Sequence, residues 1–504
     1  MKRNLLANYA GQIYAAMLNI LIVPVLIRLV GAEAYGLIGF FAMIQNWLLL
    51  MDVGMSPTLG RAASRYKSGN STLSEFSYLV RFSDIIFMGT AVLFVVCSIP
   101  AAGWVASNWL KVHFLRIDDI KFSIVVMLVA VAIRWRTQPH RSIIIGMEQQ
   151  VWLNSFNAVI VSFRTVGAAL LVVFLGSGIR LFFFYQLIIA IVEAIGMFWK
   201  VRKLVPRNTG RSRGMEGKPD LSEFWKMSLT LMLTTAAWTV LTQLDRLILS
   251  KKIALADFGV FSMAVLCASG VAILGGPITS VLGPRLTILL EKKDHAGALT
   301  LYRKATRFSV SIVLNAAITL AFFSHQIIWI WCNNKELAGK AAPVFMWYVL
   351  GNGVQAMTAL FYTLQYAHGR LRLHLIGYLA LTAIVTPTVL WAASNYGAIG
   401  TGKVWFAQSI LYLLGWGWLV HFRFLPGYYL RWIAVDIVAG AIPVIVVAWL
   451  LSHVPIPWEQ SRLFDIAYFS GYIIICILVS FAGNADVRLM IKRKLHAFRF
   501  CFER

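Results

Sequence analysis

Charge is scarce in this chain. Asp, Glu, Lys and Arg make up 13% of its 504 residues, about half the roughly 25% of a soluble domain. Such a composition cannot cover a protein in water, which excludes a soluble globular domain and a soluble domain on a single anchor. Acidic residues are the scarcest: 21 Asp and Glu stand against 46 Lys and Arg, a net charge of +25. The five cysteines, Cys97, Cys267, Cys332, Cys476 and Cys501, contain no CxxC pair and lie mostly inside apolar runs, which implies neither a disulfide framework nor a metal site. Nine histidines are scattered without metal-ligand spacing, no phosphate-binding glycine loop occurs, and no Ser/His/Asp or Cys/His set can be assembled. No catalytic residue, metal or cofactor is therefore expected. Strand-like alternation is missing too, which excludes a membrane β-barrel.

What is present is hydrophobic length. Apolar residues reach 59%, and runs of about 20 residues, each long enough to span a bilayer as a helix, recur from end to end. The reading is an all-α polytopic membrane protein with about fourteen helices, at 8–30, 35–56, 79–101, 120–138, 152–175, 181–200, 224–249, 257–283, 307–331, 342–366, 373–394, 400–421, 431–452 and 464–482. With the N-terminus inside, thirty-three of the 46 basic residues fall on the cytoplasmic side and twelve on the other, with Arg164 in mid-span. That asymmetry places both termini in the cytoplasm. It also absorbs the basic excess, which serves topology and anionic membrane lipids rather than nucleic acid. Met1-Lys2-Arg3 leads into Asn4, Asn8, Gln12 and Asn19 without a small-residue cleavage site, so no removed signal peptide is expected.

The predicted outer loops are short, leaving no room for an extracytoplasmic catalytic domain. A basic, Gly- and Pro-rich stretch at 205–223 reads as a cytoplasmic linker. The expected organisation is an N-terminal lobe at 1–204, this linker, a C-terminal lobe at 224–423, and two further helices with a basic tail at 424–504. An internal repeat supports two six-helix lobes. Pro57 to Pro277 and Arg65 to Arg285 share an offset of 220 residues, and Tyr35-Gly36 to Phe258-Gly259 an offset of 223. Paired repeats of this kind are a transporter architecture.

Three stretches carry a family resemblance: Pro24 to Leu37, which holds Arg28, Gly31, Glu33 and Tyr35-Gly36; Asp52-Val-Gly54-Met-Ser-Pro57 through Arg65-Tyr66; and Leu244-Asp245-Arg246-Leu-Ile-Leu-Ser250 with Phe258-Gly259. In these the chain resembles the polysaccharide-transport branch of the multidrug/oligosaccharidyl-lipid/polysaccharide exporter superfamily, whose bacterial members include the O-antigen flippases. The resemblance implies two six-helix bundles around a central cavity with two additional C-terminal helices. It also implies translocation of undecaprenyl-diphosphate-linked oligosaccharide across the inner membrane without nucleotide hydrolysis, with a polysaccharide polymerase or ligase as partner.

Charges inside the membrane are the candidate site residues, because an Arg at mid-bilayer costs about 2.5–3.5 kcal/mol on insertion scales and must face a partner or water. Arg164 and Glu193 lie roughly 16 and 18 Å from the outer ends of their helices at about 1.5 Å per residue. Equal depth allows two readings, a structural ion pair or a cationic site for the lipid diphosphate with Glu193 tuning it. Asn154, Asn157 and Arg164 share a face of one helix; Gln186 and Glu193 are seven apart on the next. Ser228, Thr235, Thr239, Thr242 and Arg246 form a hydroxyl stripe ending in a cation, readable as interhelical glue or as a cavity wall. Arg28 stands at the comparable end of the first helix, beyond Pro24. Asn352 and Gln355, with Thr358, Tyr362 and Gln365, offer amides and hydroxyls for a sugar or a packed polar interface.

The expected activity is thus an alternating-access flippase, not an enzyme. Arg28, Arg164 and Arg246, with Thr235, Thr239, Thr242, Asn352 and Gln355, are its candidate substrate-binding residues. Glu193 and Asp436 are the candidates for coupling to H⁺ or Na⁺. The alternatives are an ion-coupled multidrug exporter of the same superfamily, whose cationic substrates would want an acidic cavity, and an integral-membrane glycosyltransferase, polymerase or ligase.

Overall fold

The computed structural model describes residues 2–176, 178–205, 221–370, 372–454 and 462–484. The described residues are helices joined by short turns, and eleven stretches are long and apolar enough to cross a membrane. Two more helices, Ile117–Arg136 and Leu221–Lys252, have spanning length, and the stretch Arg372–Phe424 contains a break at Gly397 (φ 57°, ψ −142°). The architecture is that of a polytopic all-α membrane protein and is compatible with the expected fourteen helices.

The chain forms two compact units, Met1–Ser262 and Met263–Arg504. Most of the expected linker at 205–223 lies outside the described residues. The helix Leu221–Lys252 packs within the first unit, where Gln243 accepts from the Asn46 amide at 3.3 Å and Ser228 donates to Thr58 at 3.0 Å.

In the first unit glycine sets the closest approaches. A Cβ at Gly259 would stand 2.4 Å from the Ala32 carbonyl oxygen and 2.8 Å from the Gly36 nitrogen, and one at Gly36 would stand 2.0 Å from the Leu255 oxygen. The two aromatic-Gly pairs that the repeat matched by sequence offset therefore meet backbone to backbone, as small residues permit in membrane helix packing. Beside this seam, Glu33 accepts hydrogen bonds from three successive backbone N–H groups, of His113, Phe114 and Leu115, at 2.6, 2.9 and 2.9 Å. A buried carboxylate thereby pins the loop that follows the helix Leu73–Trp104. Pro24 lies in the first turn of Val23–Val30, just past a break in the first span. The second span breaks where Val53 (φ 50°) and Gly54 (φ 70°) adopt left-handed conformations, and Asp52 accepts from the backbone and hydroxyl of Ser56 to cap the helix Met55–Lys67. At that helix's far end Lys67 pairs with Glu148 and holds its carboxyl below the usual range.

In the second unit the helix Lys335–Ala367 is flanked by both arms of the Gly397 break. Contacts pair Tyr362 with His374 and Gln355 with Tyr378, numbers rising on one helix as they fall on the other. Beyond Gly397 they pair Tyr348 with Thr401, Asn352 with Trp405 and Phe361 with Tyr412, rising together. The chain therefore reverses at Gly397. The last two helices are tied on by amides: Asn315 donates to the Gly440 carbonyl at 3.1 Å and to Ser480 at 2.7 Å, and Asn484 donates to Ser311 at 3.0 Å.

Gly259→Val should force the Gly36–Gly259 backbones apart and cost about 1–3 kcal/mol or more, whereas Gly471→Ala, where a Cβ meets nothing within 4 Å, should be silent. Folded yield on size-exclusion chromatography and the melting temperature in detergent check this contrast.

Candidate functional site

Five segments of the first unit converge on Glu193. The helix Ile117–Arg136 brings Arg134 in its last turn; after the interruption at Thr137, with Pro139 in its first turn, the helix Gln138–Gly146 brings Arg141. Asn157 comes from Gln150–Ser162, Arg164 from the wide π-helical turn Phe163–Gly167 that continues it, and Gln186 and Glu193 from Ile179–Leu204. The π turn leaves backbone carbonyls without their usual intrahelical donors, and side chains supply them. Tyr185 donates to the Phe163 oxygen at 2.8 Å and Gln186 to the Arg164 oxygen at 3.0 Å.

Glu193 meets Arg134 at 3.6 Å and Arg141 at 3.4 Å. Arg134 also donates to Gln186 at 3.1 Å and Arg141 to Asn157 at 3.0 Å. The Arg134 guanidinium lies 5.6 Å from the Phe41 ring centroid. The Arg134 and Glu193 side chains are 9% and 8% exposed, while that of Arg141 is 31% exposed. Arg164 is half-buried and interacts electrostatically with Glu193, Arg134 and Arg141. Two guanidinium groups thus contact one carboxylate, and a third is near enough to act on it electrostatically. The Nε–H groups of Arg134 and Arg141 and one Glu193 oxygen make no hydrogen bond among the described residues, so donor capacity remains for an anion.

Among the described residues Arg164 and Glu193 form no ion pair; the close contacts of Glu193 go to Arg134 and Arg141. Both belong to the thirty-three basic residues that the sequence places on the cytoplasmic side. A signal was available: Arg134 and Arg141 are seven residues apart, the spacing of Gln186 and Glu193 and of Asn157 and Arg164.

The remaining candidates lie elsewhere. Arg28 is exposed in the last turn of Val23–Val30. On Leu221–Lys252, Thr235 is exposed, Thr239 is buried, Thr242 donates to the Trp238 carbonyl of its own helix at 2.9 Å, and Arg246 is half-buried with its Nε–H unbonded among the described residues. In the second unit Asn352 donates to the Ala268 carbonyl at 2.9 Å and accepts from Trp405 at 3.0 Å, while Gln355 donates to Tyr378 at 3.3 Å. Asp436 is fully buried; it pairs with Arg307 at 2.7 Å and Arg303 at 3.4 Å and accepts from Tyr428. Burial, then the bond to Asp436, raises the Tyr428 phenol above its ordinary value and keeps it a donor. Among the described residues no group of three or more His, Cys, Asp or Glu is placed to hold a metal ion.

Solved structures define the class. The lipid II flippase MurJ, in an inward closed conformation, matches with a TM-score of 0.71 at 13% identity, covering 97% of this chain and 99% of that one. A multidrug resistance MATE family transporter of the MOP superfamily, inward-facing, matches at 0.59 and 13% identity over 80% and 94% of the two chains. A MOP superfamily transporter from Pyrococcus furiosus Vc1 (DSM3638) matches at 0.56 and 14% identity over 83% and 94%. At such identities the likeness is one of fold: the chain is a polytopic membrane protein with the architecture of MOP superfamily transporters. Its family follows from sequence. Residues 1–289, more than half of the chain, match the family described as polysaccharide biosynthesis protein, and the chain belongs to it. No curated protein sequence matches the chain.

Breaking a buried ion pair from one side costs about 3–5 kcal/mol, so Glu193→Gln should lower stability by that order through the uncompensated Arg134. The double variant Arg134→Gln/Glu193→Gln should regain most of the loss, and Arg164→Gln/Glu193→Gln should not. Thermal unfolding in detergent followed by tryptophan fluorescence reads the difference; recovery by the Arg164 double alone would make Arg164 the true partner.

Proposed function

We propose that this protein is a flippase that moves undecaprenyl-diphosphate-linked oligosaccharide outward across the bacterial inner membrane during surface polysaccharide assembly, with both termini in the cytoplasm. The observation that carries the reading is the arrangement of Arg134, Arg141 and Arg164 around the single carboxylate of Glu193. Three guanidinium groups against one carboxylate leave about two positive charges, matching the roughly two negative charges of a diphosphate. Arginine presents a planar fork to phosphate oxygens and stays charged when buried. A multidrug exporter handling cations would be repelled by the same site.

In this cycle the diphosphate takes over the guanidinium donors from Glu193. When the lipid leaves, Glu193 accepts them again, so the arginines are never left in the membrane without a counter-charge. Arg141, whose side chain is more exposed than that of Arg134, makes the first contact. Arg28, Arg246 and the Thr235, Thr239 and Thr242 stripe serve as further contacts during transit. An inside-negative potential favours outward movement of the anion by about 2.3 kcal/mol per charge per 100 mV, which supplies a driving force without a stoichiometric ion.

Arg141→Ala should abolish surface polysaccharide in the host while protein abundance stays normal, and Arg141→Lys should restore it only in part; normal display in Arg141→Ala rejects the assignment. In liposomes carrying a potential but no pH or Na⁺ gradient, flipping of the lipid-linked oligosaccharide should follow the potential. Flipping that needs an ion gradient would replace this reading with coupling through Glu193 or Asp436.

A further inference from the structure

The second unit contains a cluster of polar aromatic side chains that the arginine site does not use. Tyr362 on Lys335–Ala367, His374 and Tyr378 on the first arm of Arg372–Leu411, and Tyr412 and Trp416 on the π-helical turn Tyr412–Trp416 form a ladder of rings. Successive centroids lie 4.5 Å apart from Tyr362 to His374, 4.3 Å to Tyr378, 5.3 Å to Tyr412 and 6.3 Å to Trp416. Gln355 joins the ladder at Tyr378. Tyr362 is 37% exposed at one end, whereas Tyr412 is 3% exposed.

Three polar edges of this ladder are unpaired. The Tyr412 hydroxyl, the Trp416 indole N–H and His374 Nδ1 are all buried and have no hydrogen-bond partner among the described residues. Unpaired polar atoms inside a membrane protein are costly, and three on one ladder of rings point to a ligand that completes them. The surrounding structure holds these groups in place. A Cβ at Gly377 would stand 2.4 Å from the Trp416 ring, so only glycine lets that indole seat there, and Tyr429 donates at 2.6 Å to the Leu414 carbonyl within the π turn.

The chemistry of the cluster selects its ligand class. Hydroxyls, an indole N–H, an amide and an imidazole offer donors and acceptors, and no carboxylate, guanidinium or ammonium lies on the ladder. Among these side chains a diphosphate would find no cation and a cationic drug no anion. A sugar ring fits both features: its C–H face packs on aromatic rings and its hydroxyls pair with polar edges. Resting on the flippase reading above, we propose that this ladder is the subsite for the glycan of the lipid-linked substrate, with Tyr412, Trp416 and His374 donating to or accepting from sugar hydroxyls. The ladder then sets which sugar is accepted.

The test uses the full-length protein in detergent with two probes: undecaprenyl diphosphate without sugar, and the lipid-linked oligosaccharide that accumulates in the host when the gene is deleted. Tyr412→Phe and Trp416→Phe each remove one donor and keep a ring. Each should weaken binding of the glycosylated lipid by about tenfold, the scale of one hydrogen bond, and leave the bare diphosphate lipid bound as in wild type. Arg141→Gln should weaken both. Unchanged or equally weakened binding of both lipids in the two ladder variants overturns the glycan subsite and leaves the flippase reading standing. Failure of the wild-type protein to bind either lipid overturns both. Bare-lipid binding and the melting temperature identify a variant that has merely lost its fold, and the two variants are read independently.

Discussion

The arrangement of the first unit depends on how one carboxylate is shared. Glu193 sits where hydrocarbon would make three guanidinium groups prohibitively expensive, and its two close contacts, to Arg134 and Arg141, let those cations remain inside the helix bundle. A site balanced to neutrality would be a staple. Here the cations outnumber the anion, Asn157 and Gln186 take only part of the donor capacity, and the surplus is what a phosphate-bearing ligand can use. On the proposed reading, the same imbalance makes Glu193 both the counter-charge of the buried arginines and the group that a substrate displaces.

Glycine and left-handed turns define where the surrounding helices can and cannot move. The Gly36–Gly259 contact leaves no room for a side chain, which fixes two helices at backbone distance. The loop pinned by Glu33 and the Asp52–Ser56 cap similarly convert carboxylates into anchors for backbone N–H groups. Val53, a β-branched residue at φ 50°, is a point of backbone strain beside that cap, and strain of this kind persists only where its surroundings hold it.

The second unit handles polarity differently. Its buried carboxylate, Asp436, is fully engaged by Arg303, Arg307 and Tyr428, and Asn315 joins three helices through the Gly440 carbonyl and Ser480. Unlike Asp436, the ring ladder from Tyr362 to Trp416 keeps unpaired edges at His374, Tyr412 and Trp416. Wide helical turns recur at these places: one carries Arg164, one Tyr412 and Trp416, and one Asp436. Each turn shifts the helical register, re-aiming side chains that a regular helix would place elsewhere.

The sequence by itself determined what depends on one dimension. Hydrophobic length and scarcity of charge settled the polytopic helical class; the aromatic-Gly repeats marked two positions without showing that they meet; equal depth paired Arg164 with Glu193, whose close contacts go elsewhere. Gln186 and Glu193 were legible as one face, and that face does receive Arg134. What depends on azimuth and on which helices are neighbours was decided only in three dimensions. Arg134 and Arg141 read as topology charges because hydropathy reports depth and not partners, and the break between them at Thr137 hides that both turn toward the same carboxylate. Asn352, readable as a sugar contact or as part of a packed polar interface, bonds Ala268 and Trp405, whereas Tyr412 and Trp416, sixty and more residues further on, are invisible as a pair with Tyr378 until the reversal at Gly397 lays their helix beside it. Side-chain chemistry is written along the chain, but in a bilayer the cost of an unpaired group depends on what faces it across a helix interface, and only the packed structure sets that.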